Sequence, residues 1–138
     1  PIYQARAKGG FGLITIESTV VYKEAKGGPR KPCLFSDDTV DSFRRVADAC
    51  HAYGAKVSIQ LQHAGPEGNS ALTGYPLKAA SAIPAAVGRE TPEAVSKEEL
   101  YRIIECYGDA ARRAQLAGID MVEVHRAHGY LVSTFISK

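Results

Sequence analysis

Several marks of particular function classes are missing from this sequence. No apolar run is long enough to span a bilayer, which argues against a membrane partner. Charge is nearly balanced, 17 Lys and Arg against 15 Asp and Glu for a formal +2. With no basic run either, nothing points to nucleic acid. The 3 cysteines, Cys33, Cys50 and Cys106, are odd in number and widely spaced. That argues against a disulfide framework and fits a reducing cytoplasm. No C-x-x-C pair occurs, so an iron–sulfur or structural zinc site within the chain is not expected. Cys50 and Cys106 fall on the apolar faces of predicted helices and read as small buried hydrophobes. The opening residues, Pro1-Ile2-Tyr3-Gln4-Ala5-Arg6, bring neither an initiator Met nor a signal peptide. They read as the middle of an element, and the expectation is a piece of something larger.

What is present reads as one soluble globular unit of 138 residues, 45% hydrophobic and 23% charged. Residues 1–8 read as the last turns of a helix, stopped by Gly9-Gly10. Phe11 to Thr19 reads as a strand, with Ile14 and Ile16 on one face and Leu13, Thr15 and Glu17 on the other. Residues 22–35 read as a loop. Ser36-Asp37-Asp38 is an N-cap cluster for a helix carrying Val40, Phe43, Val46, Ala47 and Cys50, closed by Gly54. Lys56–His63 alternates as a strand: Val57, Ile59 and Leu61 against Ser58, Gln60 and Gln62. Residues 64–95, with Gly65, Pro66, Gly68, Asn69, Gly74, Pro76, Pro84, Gly88 and Pro92, form a loop long enough to suggest function. Ser96-Lys97-Glu98-Glu99 is a capping box. Leu100, Ile103, Ile104, Tyr107, Ala111 and Ala114 then form a helical stripe that ends before Gly118.

Met121-Val122-Glu123-Val124 reads as a short buried strand, followed by a turn carrying His125, His128 and Tyr130. Residues 129–137 start a further helix. Strands alternating with helices imply parallel pairing. Three strands cannot close a barrel and leave two raw edges. Each strand has an aliphatic face and a face that turns polar toward its end: Thr15/Glu17, Ser58/Gln60/Gln62, Glu123/His125. Two such environments suit the outer wall and upper interior of a barrel. The fold class is therefore α/β, a partial (β/α)8 barrel, with residues 1–138 as a single partial domain.

Taken without further context, the candidate residues have plain alternatives. His125 and His128 can cap a strand end. Gln60 can be an ordinary polar residue at a strand end, and Tyr130 can pack. His63 with His125 and His128 suggests a metal site, but no carboxylate completes a ligand set, so no metal is expected. Glu17 and Glu123 read as structural, and Arg6 and Lys8 as solvated or paired.

The series nevertheless resembles one family. Its parts are Arg6-Ala7-Lys8-Gly9-Gly10-Phe11-Gly12-Leu13-Ile14, His51-Ala52-Tyr53-Gly54-Ala55-Lys56, Gln60-Leu61-Gln62-His63-Ala64-Gly65 and Ala80-Ser81-Ala82-Ile83. Ala110-Ala111-Arg112-Arg113-Ala114 leads to Gly118-Ile119-Asp120-Met121-Val122-Glu123-Val124-His125 and Ala127-His128-Gly129-Tyr130-Leu131. In this order they resemble the Old Yellow Enzyme family, in its 2,4-dienoyl-CoA reductase-like branch. The resemblance implies strands two to four of an FMN-binding barrel and an ene-reductase. The substrate would be an α,β-unsaturated carbonyl or an enoyl or dienoyl thioester, and NADH or NADPH the reductant. It implies that Gln60 binds the polar edge of the flavin, that His125 and His128 grip the substrate oxygen, and that Tyr130 gives a proton to the α-carbon. Any 4Fe-4S cluster would lie outside this chain, as would the residues holding the FMN phosphate. Arg126 stands where the family commonly has Gly, and Pro66 where an Arg often follows His-Ala-Gly.

Two other readings compete. A non-catalytic half-barrel would pair its raw edges with a copy of itself, making a homo-oligomer, or with another chain. A different (β/α)8 enzyme, such as a metal-dependent lyase, would be colourless and inactivated by a chelator.

Overall fold

The computed structural model describes residues 2–85 and 90–136. In chain order the elements are α1 (Ile2–Lys8), β1 (Leu13–Val20), α2 (Val40–His51), β2 (Lys56–Gln62), α3 (Ser70–Thr73), β3 (Lys78–Ala79), β4 (Glu93–Ala94), α4 (Lys97–Leu116), β5 (Met121–Val124) and α5 (Leu131–Thr134). The main sheet is parallel, in the order β1-β2-β5. All three strands therefore deliver their C-terminal ends to one edge, where chemistry sits in this architecture. Parallel strands alternating with helices are what the sequence pattern predicts for part of a (β/α)8 barrel.

The core lies between one face of this sheet and the helices. Ile14 and Ile16 of β1, Val57, Ile59 and Leu61 of β2, Phe43, Ala47 and Cys50 of α2, and Ala110 and Ala114 of α4 form one buried cluster. Each fully buried aliphatic side chain here contributes roughly 2 kcal/mol of transfer free energy. Gly118 ends α4 at φ 78°, a conformation that costs glycine nothing. At the foot of the sheet, the Asp120 carboxylate accepts from Lys56 Nζ at 2.7 Å, Val57 N at 2.9 Å and His51 Nε2 at 2.7 Å. These donors, Lys56 foremost, hold that carboxyl well below the usual carboxylate range and tie the start of β5 to β2.

Several sequence expectations need correction. β5 is not buried: all four of its residues are exposed, because β5 pairs only with β2 and forms a sheet edge. β1 runs to Val20, since its last residues continue the ladder to Leu61 and Gln62. Ile104 is exposed, in an open apolar groove with Val124, Leu131 and Phe135, whereas Ile103 is buried. Cys50 is buried, but Cys106 only partly so. Ser36 makes no capping hydrogen bond, and α2 starts at Val40. Asp37 reaches Arg112 and Arg113 of α4 instead. The capping box is half made: Ser96 Oγ accepts from Glu99 N at 3.1 Å, but the Glu99 carboxylate turns to Lys78. Within 64–95, α3, β3 and β4 give local structure to what reads as loop. Gly88 lies outside the described residues. The final helix is a single turn, Leu131–Thr134, rather than 129–137; Ser137 lies outside the described residues.

Candidate active site

The turn after β5 is fixed by the end of β2. His125 N donates to Leu61 O at 2.9 Å, and six residues on Leu131 N donates to His63 O at 3.2 Å. These bonds stitch both ends of the turn to one neighbouring strand. Gly65, at φ 60°, makes the close approach possible: a Cβ there would lie 2.5 Å from Leu131 N. Within the turn, His128 is the one non-glycine among the described residues at positive φ, 57°. Such a conformation costs an L-residue on the order of 1 kcal/mol, and strain of this kind concentrates at functional sites.

His125 is 8% exposed. Its Nδ1 accepts a hydrogen bond from Ala127 N at 3.2 Å. That contact fixes the tautomer, because the ring nitrogen facing an N–H must carry the lone pair. Nε2 then bears the proton. Burial first, and His128 second, push the His125 pKa down, so the ring stays neutral near pH 7. Nε2 of His125 and Nδ1 of His128 are 3.3 Å apart. The Tyr130 ring lies 4.6 Å from the His125 ring, tilted by 54°. The structure thus brings His125, His128 and Tyr130 into one cluster. Its chemical capacity is a neutral N–H donor beside a second imidazole and a phenol. That set suits charge developing on an oxygen.

Gln60 sits on the neighbouring strand, in register with Glu123, and its carboxamide nitrogen donates to the Glu123 carboxylate. It touches the residue two before His125 rather than the histidines themselves. His63 does not join the cluster as a ligand. It is buried, its Nδ1 accepts from Gly65 N at 3.0 Å, and its ring stacks on Tyr22 at 5.8 Å. Among the described residues no group of three His, Cys, Asp or Glu side chains could hold a metal ion. Arg126 is exposed; Pro66 is buried.

Two contributors escaped the sequence reading. Lys31, in the loop after β1, bonds Ser18 Oγ at 3.1 Å and lies close enough to His125 to oppose its protonation. Its positive field favours an anion there. Ala127 acts through its backbone N–H, which no side-chain pattern reveals.

Residues 2–138 match the NADH:flavin oxidoreductase / NADH oxidase family. The chain belongs to that family. Across 135 residues it is 39% identical to an NADPH dehydrogenase from Geobacillus sp. (strain WCH70), covering 98% of this chain and 39% of the relative. A metal reductase from Desulforamulus reducens is 40% identical over 136 residues, 98% of this chain and 20% of that protein. A solved morphinone reductase superposes with a TM-score of 0.87 at 31% identity, over 94% of this chain and 39% of that one. The chain thus spans well under half the length of these relatives. The likeness confirms the (β/α)8 architecture and the Old Yellow Enzyme resemblance at family level. Family members work with FMN and NAD(P)H, and one feature of this chain can be tested against a flavin. Gln60 is only partly buried, and its carboxamide offers a donor and an acceptor. Such a group fits the polar edge of the ring system.

Proposed function

We propose that this chain supplies the substrate-gripping and proton-donating part of a flavin-dependent ene-reductase. The whole enzyme would reduce the C=C bond of an α,β-unsaturated carbonyl or thioester with NADH or NADPH. The observation that carries this reading is the tautomer of His125: Ala127 N–H holds Nδ1 as acceptor, which leaves Nε2–H as a donor beside His128.

Gln60 would hold the polar edge of FMN. The bound flavin would supply the hydride that adds to the β-carbon. Addition pushes the electron pair toward the carbonyl oxygen. His125 Nε2–H and His128 would stabilise the resulting enolate, replacing the contact that the two rings now make with each other. Removing one aimed donor of this kind costs on the order of 10²–10³ in rate. Tyr130 would give its phenolic proton to the α-carbon, and solvent would restore it. A phenol of pKa about 10 is a competent acid toward such a carbanion.

In the full-length, flavin-loaded enzyme, Tyr130→Phe is expected to slow reoxidation of reduced flavin by the unsaturated substrate about 10²-fold or more. Reduction of the flavin by NAD(P)H should be spared. Replacing His125 and His128 together by Ala is expected to abolish the charge-transfer colour of bound phenolates. Stopped-flow traces with both half-reactions unchanged, or colour retained, would refute these assignments. The narrower placement in the 2,4-dienoyl-CoA reductase-like branch would need further modules, for which the metal reductase relative has the length and the NADPH dehydrogenase relative does not. A 4Fe-4S cluster outside residues 1–138 would mark that branch, and iron analysis of the full-length protein tests it.

A further inference from the structure

The Tyr130–Leu131 peptide is held at both ends. Its N–H, on Leu131, donates to His63 O at 3.2 Å, and its carbonyl, on Tyr130, accepts from Ser133 Oγ at 2.9 Å. A second contact backs the same peptide. Gly65 lies so close that a Cβ there would be 2.5 Å from Leu131 N and 2.7 Å from its Cα. Gly65 keeps this approach at φ 60° while its own N–H donates to His63 Nδ1 at 3.0 Å. His63 therefore meets the peptide twice, through its carbonyl directly and through its ring by way of Gly65.

The ring is a fixed post. It is 3% exposed and stacks on Tyr22, 5.8 Å away with the planes 23° apart. Next along the chain, Ala64 N bonds Ala25 O at 3.2 Å, tying this segment to the loop after β1. Among the described residues Nε2 has no hydrogen-bond partner, so the ring directs its polarity to Gly65. A buried, unpaired N–H costs about 1–3 kcal/mol, which an apolar ring of the same shape avoids. Packing against Tyr22 therefore does not by itself account for a histidine here.

We propose that His63 is a positioning residue for Tyr130: its Nδ1 acceptor holds Gly65, Gly65 sets Leu131, and Leu131 fixes the backbone from which the phenol reaches the His125–His128 pair. The Tyr130 ring lies 4.6 Å from that of His125, so a shift of its backbone moves the proton donor against the groups that bind oxygen. The inference rests on the ene-reductase reading above and adds to it the residue that aims the proton.

The test uses the full-length, flavin-loaded enzyme and two substitutions with opposite merits. His63→Phe keeps a flat ring against Tyr22 but has no acceptor. His63→Asn loses the ring but keeps an oxygen on Cγ, which in Asx turns bonds the backbone N–H two residues on. Packing ranks Phe above Asn; positioning ranks Asn above Phe. In stopped flow with 2-cyclohexenone, His63→Phe is expected to slow reoxidation of reduced flavin about tenfold, less than the roughly 10²-fold that a 1 Å misplacement can cost. His63→Asn is expected to stay near wild type, and reduction of the flavin by NADPH to be unchanged in both. Hydrogen exchange at Leu131 N is expected to speed up in His63→Phe and not in His63→Asn. Reoxidation at the wild-type rate in His63→Phe, or as slow in His63→Asn as in His63→Phe, would overturn the inference. Should His63→Phe not fold, Gly65→Ala carries the test, because its methyl group displaces Leu131 with His63 intact. Reoxidation must then slow while flavin reduction does not, and a wild-type rate overturns the inference equally. Tyr130→Phe is measured alongside. If it reoxidises as fast as wild type, the proton donor of the ene-reductase reading is wrong and the inference falls with it; if it is slow while His63→Phe is not, the inference falls alone.

Discussion

His63 and His125 end adjacent parallel strands and share one local device. In each, Nδ1 accepts a hydrogen bond from the backbone N–H two residues on, Gly65 N at 3.0 Å and Ala127 N at 3.2 Å. In each, that bond leaves Nε2 to carry the proton. What differs is the space in front of Nε2. For His63 that space is sealed: the atom is buried with no hydrogen-bond partner among the described residues, and the ring stacks on Tyr22. For His125 it holds His128, which is itself exposed. The same strand-end geometry leaves one histidine sealed in packing and the other with its Nε2 facing a second imidazole. Local structure orients an imidazole; its neighbours decide whether it has anything to do.

The sharpest way to separate the two histidines is by pH. Burial pushes the His63 pKa down to about 4, whereas the unfolded chain protonates a histidine near 6.5. Below pH 6.5 the unfolded state therefore binds a proton that the folded state refuses until about pH 4. The stability His63 contributes is fully present above 6.5 and is lost across that window, about 3 kcal/mol in all. His63→Phe is expected to flatten this part of the stability profile, as measured by urea unfolding between pH 7 and 4. An unchanged slope would mean that His63 titrates normally and that the contrast with His125 is false.

The next effect concerns the donors. Gly65→Ala would place a methyl group 2.5 Å from Leu131 N in a backbone conformation at φ 60°. The expected cost is on the order of 2 kcal/mol. It should come with faster hydrogen exchange at Leu131, whose amide bonds His63 O. Ala127→Gly, at the matching position after His125, introduces neither clash nor positive φ. It is expected to cost under about 1 kcal/mol, the smallest change of the set. Equal losses in these two variants would show that the turns are braced alike, contrary to the contacts described.

Much of the site was legible in the sequence because its residues lie close together along the chain. His125, His128 and Tyr130 fall within six residues, so a strand followed by a tight turn must gather them. The strand periods likewise placed Val57, Ile59 and Leu61 against the helices, where they are buried. Less legible were contacts made across the fold by backbone atoms or by long side chains. Nothing in the order of residues says that Gly65 must clear Leu131, that Lys31 comes near His125, or that Asp37 abandons its helix cap for Arg113. The expectation that β5 is buried erred for a related reason. Val122 and Val124 have the pattern of a covered strand, yet burial needs a second neighbour, and β5 pairs with β2 alone.

Alternation of apolar and polar residues, glycine stops and the spacing of the histidine turn determined by themselves the parallel α/β architecture and the candidate cluster, because these depend on short-range backbone geometry. Only the tertiary structure decided that His63 is sealed against Tyr22, that Lys31 comes near His125, and that Gly65 must clear Leu131. Those properties arise where segments distant in sequence exclude water from one another, and no local pattern records them.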